Sequence, residues 1–348
     1  MNNELEELIY RCLMNEISID SEIEKKFKKK LSNRSKYKLL RFPKGFSKIS
    51  SFVIVFFIPI IFVVFSLKVY LKRWINKSKD AKNYHALAFS LRQKDILNNY
   101  YKNIECIMID ELISMRSSFI DSYYKSVFIS FKMLKRINVD SYIHIVHVWE
   151  LVVFYYCLKE KFTHNNFLIC SHYDRWATMV SLVKVNEFSV LQHGVVSFAF
   201  SPCFLLTPPS KLIALSNTQC DIFNKKIYTS PVKEVVLNTQ SLDFDKSHKY
   251  DVVIINNPLY LDFEIKLYSA LEKASIDVVF RPHPLVIEAI NLKNLKLSKG
   301  KQVPLGKAFV CKESTLGLLY ENEGISGVWW HEGEEVDKIV LNIQALLE

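Results

Sequence analysis

The sequence predicts an α/β protein made of two Rossmann-like domains facing across a cleft, preceded by a basic and apolar segment that associates with a membrane. Three observations carry this. From about residue 100, short apolar runs alternate with helix-length stretches, the pattern of parallel β-α-β units. The alternation is interrupted by the polar, mixed stretch 229–249 (TSPVKEVVLNTQSLDFDKSHK) and then resumes. The positive charge and the long uncharged apolar run both lie near the N-terminus.

Composition bounds the problem first. A chain of 348 residues favours two domains. Its 49% hydrophobic and 13% aromatic content exclude a disordered chain, and 8 glycines exclude a Gly-rich low-complexity one. The seven cysteines contain no Cys-x-x-Cys pair, so no zinc knuckle or dithiol redox site is written here. Most sit in apolar runs, as buried thiols of a reducing cytosol do.

Residues 1–82 hold 18 basic and 8 acidic side chains, a balance of +10 that equals the net charge of the whole chain. Between Lys48 and Lys68 runs Ile49–Leu67, nineteen residues without a charge. As a helix it is about 28 Å long, against a hydrocarbon core of roughly 30 Å. Eleven basic residues lie in 25–48 and six in 68–82, with Tyr70 and Trp74 at interfacial positions. A basic arm alone would suit nucleic acid, but the apolar run beside it points to an anionic membrane surface instead. A single span and a one-sided insertion, with Pro59 breaking the run, both fit.

The expected domains are 1–82, the membrane-associating segment; 83–240, a first Rossmann-like domain; and 241–348, a second. In the first, strands are expected at Ile104–Asp110, Tyr142–Val148, Phe167–Ser171, Phe188–Gln192 and Leu212–Leu215, with helices over 117–136, 149–161, 174–185 and 217–226. The stretch 229–249 reads as a linker. In the second, strands are expected at Asp251–Asn256, Ile276–Phe280, Ala308–Cys311 and Ile325–Trp329, with helices near 260–274, 285–290, 315–322 and 333–347.

Open α/β sheets bind ligands outside the carboxyl ends of their strands, so the residues directly after each strand matter most. Arg281-Pro282-His283-Pro284 makes a stiff loop, because two prolines fix two φ angles. Arg281 offers a fork matched to phosphate, and His283 can bond a phosphate oxygen or carry a proton to it. Ser314 and Thr315 open a helix whose free N–H groups suit an anion, with Gly317 allowing close approach. Glu321, two turns on, falls on the same face, where it can accept from a ribose diol. In the first domain, Gln192-His193-Gly194 aims His193 into the cleft, while His172 and Asp174 follow the strand before it. His193 and Asp174 are the candidate bases. His144 and His147, taken as alternating in a strand, lack partners at metal spacing, and Asp243-Phe244-Asp245 falls in the linker; no metal is expected. Asp110-Glu111 at a strand end is a weaker candidate base. No Walker A, Gly-x-Gly-x-x-Gly or Gly-x-Ser-x-Gly motif occurs.

Gln-His-Gly after one strand, an Asp-led helix before it, then Arg-Pro-His-Pro and Ser-Thr-Leu-Gly with a later Glu resemble the bacterial surface-polysaccharide glycosyltransferases of the GT-B fold. These include capsule and lipopolysaccharide transferases with sialic acid or Kdo donors. The layout is also similar to the CDP-glycerol glycerophosphotransferases. The resemblance covers roughly residues 140–345. It implies that Arg281, His283, Ser314 and Thr315 hold the donor phosphates, that Glu321 approaches the ribose and that His193 lines the acceptor half. Glu313 departs from the family pattern, in which a Ser or Asp precedes the Ser/Thr element.

The expected function is transfer of a sugar from a nucleotide-activated donor to a lipid-linked or growing polysaccharide at the cytoplasmic membrane face. It needs no metal or further cofactor and no nucleic-acid partner. His193, Asp174 and His283 are the expected catalytic residues. Transfer of glycerol phosphate from a CDP-alcohol, and an inactive scaffold of a polysaccharide assembly complex, are the alternatives.

Overall fold

A computed structural model describes residues 3–30, 57–67, 85–101, 104–114, 119–162, 166–183, 187–196, 200–238, 241–283, 295–298, 300 and 302–348. The chain forms two compact units. One draws on Met1–Glu22, Lys44–His193 and Phe198–Leu237, the other on Ile23–Pro43, Gly194–Ser197 and Asn238–Glu348.

The first unit opens with helix α1 (Asn3–Lys30), which begins with Glu4 and Glu6 at its positive dipole end. Leu5, Leu8, Ile9, Cys12 and Leu13 form its buried stripe. Below that stripe, Asn15 donates to the Thr178 hydroxyl (2.9 Å) and accepts from the Phe204 N–H (2.8 Å). Glu16 pairs with Arg175 at 2.6 Å, both buried. Helix α2 (57–67) holds Pro59 in its first described turn, where a proline removes no bond within the described helix. Ile58 and Phe62, one turn apart, are both fully buried.

The sheet follows: β1 (Ala86–Ala88), α3 (Leu91–Tyr100), β2 (Cys106–Met108), α4 (Ile109–Ser114), α5 (Phe119–Met133), α6 (Val148–Lys161), β3 (Phe167–Ile169), α7 (Arg175–Leu182), β4 (Phe188–Leu191), β5 (Lys211–Ala214), α8 (Asn217–Ile222) and β6 (Glu234–Leu237). All strand pairs are parallel, in the order β2-β1-β3-β4-β5-β6. The sheet therefore reverses its direction of growth between β1 and β3, the place where open α/β sheets bind ligands.

Several expectations fail here. Tyr142–Val148 is no strand: Val139–His147 is a 3-10 helix running into α6. A short apolar run does not distinguish strand from buried helix, and α6 continues it with Trp149, Leu151, Val152, Val153 and Phe154 all buried. His144 and His147 then sit one 3-10 turn apart, rings 6.4 Å from each other, rather than alternating along a strand. Asp110 and Glu111 open α4 instead of ending a strand. The expected linker 229–249 also contains structure. It holds β6, an edge strand whose Glu234 pairs with Lys211 of β5 (2.6 Å), and the first half of β7. An edge strand of four mostly exposed residues shows no clear period, which hid it.

The second unit comprises β7 (Phe244–Ile255), α9 (Leu261–Lys273), β8 (Val278–Arg281), β9 (Val303–Cys311), α10 (Thr315–Asn322), β10 (Gly327–Trp329) and α11 (Val336–Leu347). Its parallel strands lie in the order β10-β9-β7-β8. Alternation along β7 builds two cores. Val252 and Ile254 pack with Leu267, Tyr268, Leu271, Ile339 and Ile343 of α9 and α11. Val253 and Ile255 pack with Phe309, Cys311 and Tyr320, the last from α10. This sheet reverses between β7 and β9, so the first four strands of each unit share one order. The helix expected near 285–290 lies outside the described residues.

Candidate functional site

Each unit carries a polar cluster where its sheet reverses. In the first, β1 leads into Ser90, whose hydroxyl caps α3 by accepting from the Gln93 N–H (3.2 Å), while Gln93 Oε1 accepts from the Phe89 N–H (2.8 Å). This Ser-x-x-Gln capping box holds Gln93 so that its amide donates to the Ser171 hydroxyl beyond β3 (3.0 Å). Ser171 donates on to Asp174 Oδ2 at 3.0 Å. Asp174 Oδ1 accepts from the Trp176 and Ala177 N–H groups and so caps α7. Burial, then the nearby Glu16 carboxylate, raises the Asp174 carboxyl above the usual range. Phe89 stacks on Trp176 with ring centroids 5.3 Å apart.

His172 and His193 follow β3 and β4, rings 4.4 Å apart. The His193 N–H donates to His172 Nε2 (3.0 Å), so that nitrogen carries no proton. Burial, then the neighbouring His193, holds His172 well below the usual imidazole range. Burial, then the Arg92 charge, pulls His193 down to about 4. Both rings are neutral at pH 7. His193 Nδ1 is buried with no hydrogen-bond partner among the described residues. A glycine after His193 suits a sharp turn, but the φ of Gly194 is not positive, and a Cβ there would meet nothing within 4 Å, so the glycine is not required by geometry.

In the second unit, the cluster follows β7, β8 and β9. Glu264 of α9 is fully buried and accepts from Asn256 Nδ2 (2.5 Å) and the Asn257 N–H (3.0 Å). Burial pushes its carboxyl up to about 8 against those two donors. Asn256 Oδ1 in turn accepts from the His283 N–H (3.1 Å), and Asn257 Nδ2 donates across the reversal point to the Lys312 carbonyl (3.1 Å). The Lys312 ammonium lies 4.3 Å from the centre of the Tyr260 ring and 5.0 Å from that of Trp330, with Glu332 at 3.9 Å. Glu313 then takes φ +45, a left-handed conformation that costs a non-glycine residue about 1 kcal/mol or more. It delivers Ser314 as the N-cap of α10, accepting from the Gly317 N–H (3.4 Å). The Thr315 hydroxyl accepts from the Val195 N–H (3.2 Å), within the segment that clusters with this unit.

The second unit thus places His283 after β8 and Ser314 and Thr315 after β9, the two strands that flank β7. Arg281 engages elsewhere, donating to Ser298 O and Oγ (both 3.3 Å) and Gly300 O (2.9 Å). Glu321 is exposed and accepts from Trp329 Nε1 (2.5 Å). Gly317 does not serve ligand approach: a Cβ there would meet Cys311 Sγ at 2.6 Å and the Trp329 ring at 2.7 Å, so it lets α10 pack on the sheet. Sequence reasoning missed Glu264 and Lys312. The signals were present: Glu264 falls on the apolar stripe Leu261, Leu267, Tyr268, Leu271 of α9, and Lys312 directly follows a strand. Among the described residues, no group of three or more His, Cys, Asp and Glu is placed to hold a metal ion.

No known protein-family model and no curated protein matches the chain.

Proposed function

We propose that the protein is a GT-B glycosyltransferase that moves a sugar from a nucleotide-activated donor to a lipid-linked or growing surface polysaccharide at the cytoplasmic membrane face. The observation that carries this reading is the reversal point of the second sheet. There Asn257 bridges to Lys312, with His283 on one side and the start of α10 on the other. A buried ammonium, a strand-end histidine and free helix N–H groups are what an anionic diphosphate needs as charge builds on it during transfer. His283, Ser314, Thr315 and Lys312 hold the phosphates in this reading. His193 is the candidate base for the acceptor hydroxyl proton ahead of Asp174, because its ring is neutral, whereas Asp174 already accepts from three donors.

One observation favours a binding scaffold without catalysis: Arg281 directs its fork at Ser298 and Gly300. Nucleotide binding and turnover separate the readings. Thermal unfolding with CMP, CDP, UDP and GDP is expected to single out one nucleotide, stabilising by about 2.7 kcal/mol at 100 times its Kd. Lys312→Gln should abolish that gain. Donor turnover lost in His193→Asn with the stabilisation kept supports transfer; stabilisation without turnover in the wild type supports the scaffold. No stabilisation by any nucleotide overturns both.

A further inference from the structure

Helix α2 has two apolar faces with different fates. Ile58 and Phe62 are 1% and 0% exposed, and Phe65 lies 6.0 Å from Trp149 at the start of α6. This face is packed on the first unit. Phe57, Ile60, Val63, Val64 and Leu67 are 44–56% exposed. At about 100° per residue, these five fall within an arc of roughly 120° opposite the packed face. A helix crossing a bilayer would meet lipid or other membrane segments, not the flank of an α/β unit. A helix lying in the interface buries one apolar face in lipid and keeps the other on its protein. No described helix is long and apolar enough to cross a membrane.

Charge names the surface. In the sequence, α2 lies between the eleven basic residues of 25–48 and the six of 68–82, both of which an anionic leaflet attracts. The exposed arc itself carries no charge.

We infer that α2 lies in the plane of an anionic membrane, with Phe57, Ile60, Val63, Val64 and Leu67 inserted in one leaflet and Ile58 and Phe62 holding the first unit against it. This rests on the reading that the protein works at a membrane surface, not on the reaction it performs.

The test is flotation of the full chain with vesicles of phosphatidylcholine alone and of phosphatidylcholine with phosphatidylglycerol. Preferential binding to the anionic vesicles is expected, with release by alkaline carbonate. The Ile60→Glu/Val64→Glu double variant should lower that binding about tenfold or more, while Ile60→Leu/Val64→Leu retains it. Val64→Trp should add emission that shallow brominated lipids quench, a readout independent of how the glutamate variant folds. Wild-type binding that ignores lipid charge, a glutamate variant that binds like wild type, or an unquenched Val64→Trp overturns the inference. So does carbonate-resistant protein with a protease-protected N-terminus, which marks a span. A dimer that the glutamate variant dissociates also overturns it, by making this face a contact between copies. Nucleotide stabilisation retained in the non-binding variant separates this outcome from failure of the donor site.

Discussion

The two units reverse their sheets in the same way but neutralise the polar groups at the reversal differently. The first uses a buried ion pair, Glu16–Arg175, beside two neutral histidines. The second uses one buried carboxyl, Glu264, beneath two asparagines. Strand order decides where a crevice forms, and the side chains beneath it decide how it answers to protons. The units should therefore lose stability at opposite ends of the pH scale.

The largest effect is expected at Glu264. Its carboxyl is raised to about 8 from 4.5. Between those values the folded state keeps a proton that the unfolded chain has released. The stabilisation is complete below pH 4.5 and declines as pH rises through 8, by about 5 kcal/mol in all. Glu264→Gln keeps an oxygen for the Asn256 and Asn257 donors and cannot ionise. Hydrogen exchange across β7 and β8 should slow in the variant relative to wild type, with a gap that widens from pH 5 to pH 8. An equal gap at every pH would remove the second unit's half of the contrast.

Next comes the ion pair. Arg175→Met leaves Glu16 buried without its partner, and breaking such a pair by removing one member costs about 3–5 kcal/mol. The loss should read out in the first unit alone, as faster exchange over α1 and α7 with β7–β9 unchanged. Glu16→Gln/Arg175→Met, which removes both charges, should recover part of it. A double variant no more stable than Arg175→Met would mean that packing of the guanidinium over Trp176 (4.7 Å), rather than charge, sets the cost.

The alternation of apolar runs made β3, β4, β5, β8 and the last four residues of β9 legible, together with α5, α6, α9 and α10. It failed where an element is too short or too mixed to show a period. Ala86–Ala88 offers three residues, and β6 four that are mostly exposed. The long α1 was not anticipated either, although Leu5, Leu8, Ile9, Cys12 and Leu13 spell a helical stripe. At the sites, strand-end histidines and hydroxyls were legible because strand ends can be located. Glu264 was not, since a Glu within a helix reads as solvated until Asn256 and Asn257 are seen folding over it. The Ser90–Gln93 capping box was written in the sequence and overlooked; its link to Ser171 depends on β1 and β3 lying side by side.

The smallest of the three effects is the acid side of the first unit. His193 is lowered to about 4, and His172 lies below the usual 6.5. Below pH 6.5 the unfolded chain binds protons that these buried rings refuse, so stability is full above 6.5 and declines as pH falls toward 4, by roughly 3 kcal/mol for His193. Asp174, raised by burial, works in the opposite direction. The effect is therefore read as the difference between wild type and His193→Asn, which cannot take up the proton. Amide protection across β3 and β4, measured against the intrinsic exchange rate at each pH, should fall from pH 7 to pH 4.5 in wild type and less so in the variant. Parallel acid profiles would place the sensitivity in Asp174 or elsewhere, and would leave the two reversal points alike in how they respond to protons.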